Sequence, residues 1–367
     1  MSKLQVFHFL LDHRIGGPHI YVDTLRNKLE ADFASTVVTT GKGEMTDKAL
    51  INIRHLWKPF YIFEILINVA LLSTWVIKNP DLRNNTIFAV HGAANITPLI
   101  VARIFNLPLV WYIHETVSNF SKFVKFGKWI LKNTRYKIAV VALKAREIYN
   151  IPDSIYLPGS VDERFWAYSA LPEMDSYCSV DTDSLSLRLL TVSNLNPLKG
   201  LDILLEALSG IKFGWHLSIA GPVLSTHADY AQSIQNQANA ILSERADVNI
   251  DFLGWQSKES IRSLLAQCDV FVLPSRSEAC PISLLEAMSM GVPCIAARVG
   301  DVSAMLQDDD KSKIFEVGSA VSCRQAIIEF RETLCKKGKE RRNSTIPKSW
   351  KLDEVLTRTK TTYSLML

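Results

Sequence analysis

Short apolar runs alternating with helical patterns recur along the chain, and this alternation restricts the possible folds more than any other feature. Leu4–Leu10, Thr36–Thr40, Ile87–His91, Leu109–His114 and Ile138–Ala142 form one series. Leu189–Ser193, His216–Ala220, Ile250–Leu253, Val270–Leu273 and Pro293–Ala296 form a second. Each run is strand-length and is followed by a turn signal or a helical stretch, which is the pattern of parallel βαβ units. Between the series, residues 167–186 end in SYCSVDTDSLS, polar and without period. A chain of 367 residues can bury two separate cores. The expectation is an α/β protein of two doubly wound domains with a cleft between them, one over 1–166 and one over 167–347.

Composition narrows the function classes. A formal charge of +4 is too small to argue for nucleic-acid binding. The cysteines Cys178, Cys268, Cys280, Cys294, Cys323 and Cys335 include no C-x-x-C pair and no metal spacing, as in a reduced cytosolic protein. Asp12, His13 and Arg14 follow the first apolar run where an export signal would need small residues, so a cytoplasmic location is expected. Phe60–Ile77 is strongly apolar but is interrupted by Glu64, Asn68, Ser73 and Thr74. It is also shorter than the ~20 residues of a spanning helix, and it reads as a helix buried against a sheet.

The chemistry concentrates in PSRSEACPISLLEAMSMGVPCIAARVG, residues 274–300. Glu278 falls in the loop beyond the strand Val270–Leu273, at the end where open α/β sheets bind ligands. Pro281 suits a helix start, so the amides of Ile282, Ser283 and Leu284 are expected to point free and favour an anion. Glu286 lies one turn inside that helix, where a carboxylate can accept bonds from a vicinal diol such as ribose. An isolated pair of this spacing would be two solvated carboxylates; the strand–loop–helix context favours a ligand grip. Leu189–Gly200, LLTVSNLNPLKG, places Lys199 just before a helix, a phosphate site in outline, with a solvated lysine as the alternative. Gly16-Gly17 after the first strand is either a close approach to a ligand or a turn. His114 at a strand's carboxyl end is either structural or a ligand residue.

Taken together, Gly16-Gly17, His114, SNLNPLKG, IAGP at 219–222, FLGW at 252–255 and SEACPISLLEAMSMGVPCIA resemble family-4 glycosyltransferases of the GT-B fold. The resemblance covers nearly the whole chain. It implies two Rossmann-like domains facing across a cleft, with the terminal helix 348–367 crossing back to the first. It also implies a retaining, metal-independent transfer of a hexose-type sugar from a nucleoside diphosphate donor. Lys199 would bind the diphosphate, Glu286 the ribose, and Glu278 with the amides after Pro281 the donor sugar. Gly16 and Gly17 would close on the phosphates, and His114 would touch the sugar near the reacting carbon. Trp255-Gln256 would meet the base, and Ser193, Asn194 and Gly221 would line the donor. His114, Lys199 and Glu278 would carry the catalysis. The chain departs from the family in having Ser193-Asn194 where Gly-Arg is common, and Ala279-Cys280-Pro281 where an aromatic is usual. No Asp-x-Asp metal site is present in the sequence, and neither a metal nor a cofactor beyond the nucleotide sugar is expected.

Residues 120–137, FSKFVKFGKWILKNTRYK, carry cations at helical spacing between aromatics. They either lie on an anionic membrane or form an ordinary helix over the first core. Membrane contact would make a lipid-linked saccharide the acceptor, as in O-antigen or capsule assembly. The alternatives are a non-catalytic nucleotide-sugar-binding partner of another transferase and a GT-B sugar-nucleotide epimerase.

Overall fold

The computed structural model describes residues 3–11, 17–39, 47–49, 61–83, 85–162, 166, 186–337 and 346–366. Gly16, Cys178 and the expected domain boundary after residue 166 lie outside these. The chain forms two compact units, Met1–Gly159 with Asp353–Leu367, and Ser160–Leu352.

In the first unit the strands are β1 (Leu4–Phe9), β2 (Phe33–Thr39), β3 (Lys48–Ala49), β4 (Thr86–His91), β5 (Leu109–Ile113), β6 (Tyr136–Val140) and β7 (Ile155–Tyr156). They form one parallel sheet in the order β3-β2-β1-β4-β5-β6-β7. Its helices are α1 (Gly17–Leu29), α2 (Tyr61–Lys78), α3 (Ile96–Phe105), α4 (Ser121–Ile130) and α5 (Lys144–Tyr149). The second unit has β8 (Leu187–Val192), β9 (Trp215–Ala220), β10 (Val248–Gly254), β11 (Val270–Leu273), β12 (Cys294–Ala297) and β13 (Lys313–Phe315), ordered β10-β9-β8-β11-β12-β13 and again parallel. Its helices are α6 (Leu201–Ser209), α7 (Ala228–Glu244), α8 (Lys258–Gln267), α9 (Ile282–Ser289), α10 (Val302–Met305) and α11 (Ala320–Lys337). The terminal helix α12 (Leu352–Ser364) belongs to the first unit, where the Tyr112 hydroxyl donates to the Tyr363 hydroxyl at 2.9 Å and Lys360 pairs with Asp32 at 2.6 Å.

Every strand expected from the apolar runs is present, shifted by no more than a few residues. The short edge strands β3, β7 and β13 were not anticipated. Alternation along the first sheet explains its two cores. Phe7, Phe9, Phe88, Val90, Trp111 and Ile113 face α2, α3 and α4, while Val6, Ile87, Ala89, Val110 and Tyr112 face α1 and α12. The strand order reverses beside β1 and β4 in the first unit and beside β8 and β11 in the second. These are the topological switch points at which ligands of such sheets bind.

One expectation is corrected and one is refined. The basic helix stops at Ile130 instead of running to residue 137, because Asn133 takes a left-handed φ of 64° and the chain enters β6 at Tyr136; Lys132 and Arg135 are therefore off the helix. The apolar segment forms α2, which packs on the sheet through Leu72 and Val76 as expected; the difference is on its other side, where Phe63, Leu66, Ile67, Leu71 and Ile77 are exposed.

Gly127 marks the closest approach of α4 to the sheet, since a Cβ there would overlap the six-membered ring of Trp111. That ring cannot yield easily: it is fully buried and its Nε1 donates to the Gly92 carbonyl at 3.0 Å. Gly127→Ala should therefore destabilise by about 1–3 kcal/mol, against the gain of up to about 1 kcal/mol that alanine normally gives in a helix. Chemical denaturation of the two proteins measures the sign.

Candidate functional site

In the second unit the loops leaving β8, β9, β10 and β11 gather at the carboxyl edge of the sheet. The β8 loop carries Ser193, Asn194 and a short 3-10 turn at Pro197–Lys199, capped by Asn196, whose Oδ1 accepts the Leu198 amide at 2.9 Å. Asn196 Nδ2 also donates to Asn194 Oδ1 at 2.6 Å, so the Asn194 side chain is committed to shaping this loop. Gly221, at the end of β9, presses on the same loop. Its φ is 152°, and a Cβ would overlap the Ser193 carbonyl, so only glycine fits this contact.

The β8 and β11 loops are joined by charge. Lys199 Nζ lies 2.6 Å from Glu278 Oε1, and Ser275 Oγ donates to the same oxygen at 2.9 Å. Both charged side chains are largely shielded from solvent, at 25% exposure for Lys199 and 13% for Glu278, which makes the pair stronger than a surface salt bridge. A second link runs beside it: Arg276 donates to Asp202 at the start of α6 and to the Pro197 carbonyl, each at 2.8 Å. Sequence reasoning missed Arg276 and Asp202. Their signal, an arginine two residues before Glu278 and an aspartate three after Lys199, is too common to stand out.

At the start of α9, Pro281 is the N-cap, and its carbonyl takes the amides of Leu284 at 3.2 Å and Leu285 at 3.3 Å. The expectation for the free amides therefore narrows: Ile282 and Ser283 donate to no acceptor among the described residues, whereas Leu284 is engaged. The Ala279-Cys280 segment is steadied by the Asp301 amide, which donates to the Ala279 carbonyl at 3.2 Å. Glu286 is partly exposed as a residue but its carboxyl is enclosed, and burial pushes its pKa up to about 8, offset in part by Lys258 of α8. Trp255 after β10 is exposed, and Gln256 donates to the Leu253 carbonyl at 2.7 Å.

In the first unit Gly17 opens α1, and His114 at the end of β5 is not alone. His8 Nδ1 lies 3.1 Å from His91 Nε2, and His91 Nδ1 lies 3.0 Å from His114 Nε2, so three adjacent strands contribute one chain of imidazoles. Burial lowers the pKa of His8 and His114 to about 3, and that of His91 well below its usual value; Arg26 beside His8 and His19 beside His114 add to the effect. All three rings are thus neutral, each with one N–H. The two contacts can then be made in only two ways. Either His8 donates to His91 and His91 to His114, leaving His114 Nδ1 a donor, or the direction reverses and that nitrogen is a bare acceptor. Glu115 secures the turn by accepting the Ala93 amide at 3.0 Å and the His114 amide at 3.2 Å. Sequence reasoning singled out only His114, because the link to His8 and His91 depends on strand order. Among the described residues no group of three His, Cys, Asp or Glu side chains is arranged to hold a metal ion.

Residues 186–332 match the Glycosyl transferases group 1 family. An uncharacterized glycosyltransferase of Methanocaldococcus jannaschii is 28% identical over 150 residues, 39% of this chain and 40% of the relative. A UDP-Gal:alpha-D-GlcNAc-diphosphoundecaprenol alpha-1,3-galactosyltransferase of Escherichia coli is 33% identical over 76 residues, 21% of this chain and 19% of the relative. The chain thus spans less than half the length of these curated relatives. The structure of HepE from Anabaena in complex with UDP-glucose superimposes with a TM-score of 0.77 at 14% identity, over 99% of this chain and 100% of that one, which identifies the fold as GT-B.

Two pH dependences follow from the buried groups. The histidine pKa values are lowered on folding, so their contribution is full above about pH 6.5 and is lost as pH falls toward 3. Thermal midpoints should therefore drop from about pH 7 to about pH 5, and His114→Asn should flatten that decline. The Glu286 pKa is raised, so its contribution is full below about 4.5 and is lost as pH rises through about 8. Glu286→Gln should melt above the wild type near pH 9 and level with it near pH 4, as thermal denaturation at the two values would report.

Proposed function

We propose that the chain is a glycosyltransferase that moves a hexose-type sugar, with retention, from a nucleoside diphosphate donor to a saccharide acceptor. The observation that carries this reading is the Lys199–Glu278 pair at the switch point of the Glycosyl transferases group 1 domain, with Glu286 on the helix that follows. A diphosphate oxygen can take the place of the carboxylate at Lys199, where a charge pair at 4 Å and an effective dielectric near 20 is worth about 4 kcal/mol before the lost Glu278 contact is set against it. Glu278, released toward the sugar, accepts its hydroxyls. The Glu286 carboxyl, whose pKa burial raises to about 8, offers a ribose diol two oxygens as hydrogen-bond partners. The amides of Ile282 and Ser283 add donors without charge, Gly221 keeps the β9 loop close, and Trp255-Gln256 receives the base.

The transfer builds positive charge on the sugar ring and negative charge on the leaving diphosphate, so stabilising the leaving group is the larger need. Lys199 does so without a metal. The departing phosphate oxygen takes the acceptor's proton on the same face. The UDP-glucose held by HepE supports a nucleotide sugar as donor. The diphosphoundecaprenol-linked substrate in the E. coli relative's name supports a lipid-linked saccharide acceptor in cell-surface polysaccharide assembly.

Asn194 favours a second reading. It stands where a cation would serve the leaving group and is tied to Asn196, while Arg276 is held by Asp202. A protein so built could bind a nucleotide sugar without turning it over. Thermal shift and slow donor hydrolysis with UDP-, GDP-, ADP- and TDP-sugars separate the two. One donor should stabilise the wild type and be hydrolysed, and Lys199→Ala should cut hydrolysis by about a hundredfold or more. Stabilisation without hydrolysis, even with lipid-linked acceptors added, assigns the binding role; no stabilisation by any donor overturns both.

A further inference from the structure

The polarity of α2 is reversed. Its polar side chains Glu64 and Asn68 turn toward the protein and are 7% and 2% exposed, whereas Phe63, Leu66, Ile67, Leu71 and Ile77 turn outward and are 46–63% exposed. Ala70 and Thr74 complete that outer side, which carries no charge before Lys78. A helix covering a sheet normally presents the opposite pattern, and an outer face of this kind needs an apolar neighbour.

The surroundings indicate which neighbour. Leu72 and Val76 of α2, Leu99 and Ala102 of α3, and Val124 and Ile130 of α4 all pack into one core on the same face of the sheet, so the outer sides of these helices point the same way. On that side α3 exposes Ile104, and α4 exposes Phe126 and Trp129, stacked with ring centroids 5.7 Å apart; Trp129 is 70% exposed. The charged residues around them are nearly all cations: Lys78, Arg103, Lys122, Lys125, Lys128 and Lys132 are exposed, against Asp81 as the exposed acid in α2, α3, α4 and their connections. Apolar side chains and an aromatic pair bordered by lysines match the layered chemistry of a lipid surface, acyl chains beneath anionic headgroups. A second copy of this face would bring cations against cations.

We propose that the outer face of α2, together with Phe126 and Trp129 of α4, docks the first unit on an anionic lipid bilayer. The 18 residues of α2 reach about 27 Å, and one side of the helix is occupied by the core, so it lies along the interface. No helix among the described residues is long and apolar enough to cross a membrane. The sequence pointed to the cations of α4; the structure adds the apolar half of the contact. The proposal does not rest on the transfer reaction.

Sedimentation of the full chain with vesicles tests it. The wild type should pellet with phosphatidylglycerol–phosphatidylethanolamine vesicles at low salt and not with phosphatidylcholine. Lys125→Gln/Lys128→Gln should weaken binding about thirtyfold at low salt. Leu66→Asn/Leu71→Asn should weaken it about tenfold or more at all salt concentrations. Both positions are exposed, so circular dichroism and melting should be unchanged, and any sugar-nucleotide thermal shift should persist because neither Leu66 nor Leu71 belongs to the proposed donor site. Undiminished binding of Leu66→Asn/Leu71→Asn overturns the proposal, as does absence of wild-type binding. A dimer in analytical ultracentrifugation that this variant abolishes also overturns it, assigning the face to a second copy.

Discussion

Because every strand pair in both sheets is parallel, each strand must be reached by a crossover, and all loops leaving the strands' carboxyl ends emerge on one edge. The chemistry of this chain depends on that constraint. Lys199 and Glu278 lie 79 positions apart in sequence, yet β8 and β11 are neighbours, so the two side chains meet at 2.6 Å. His8, His91 and His114 are likewise delivered by β1, β4 and β5, consecutive in the first sheet. In both units the residues converge beside the strand-order reversal, where no crossover helix closes over the edge.

How much of this could be read from sequence depended on whether the signal was local. Val270–Leu273 announces itself by apolar β-branched residues between breakers, and Glu278 and Glu286 follow at fixed offsets, so their place on a loop and a helix was legible. Lys199 was legible in the same way. Its partner was not, since the contact needs the order β8-β11, which no local pattern encodes. His8 sits inside an apolar strand and looks like a core residue until β4 is laid beside it. The edge strands β3 and β7 are two residues each, too short for any periodicity.

The faces of α2 illustrate a different limit. Its few polar residues, Glu64, Asn68, Ser73 and Thr74, are spread among apolar ones, so the 3.6-residue period does not tell which side of a helix buried against a sheet faces that sheet. Which side meets the sheet is decided by Leu72 and Val76 fitting the core beside α3. Once they are seated, Glu64 and Asn68 are carried inward and the apolar stripe outward. Packing of two residues therefore overrode the preference of five, at the cost of an uncovered surface.

The lysine–glutamate contact between the β8 and β11 loops also bears on which anions this edge rejects. An anion that draws Lys199 away removes from Glu278 the cation that lies 2.6 Å from it in a shielded place. Inorganic phosphate or pyrophosphate offers that carboxylate only further negative charge. A ligand that carries hydroxyls next to its phosphates supplies donors to Glu278 as it takes Lys199. The ion pair is thus a filter: it sets against simple phosphates a penalty that a polyhydroxylated phosphate ester largely avoids, before any residue that reads the identity of the sugar comes into play.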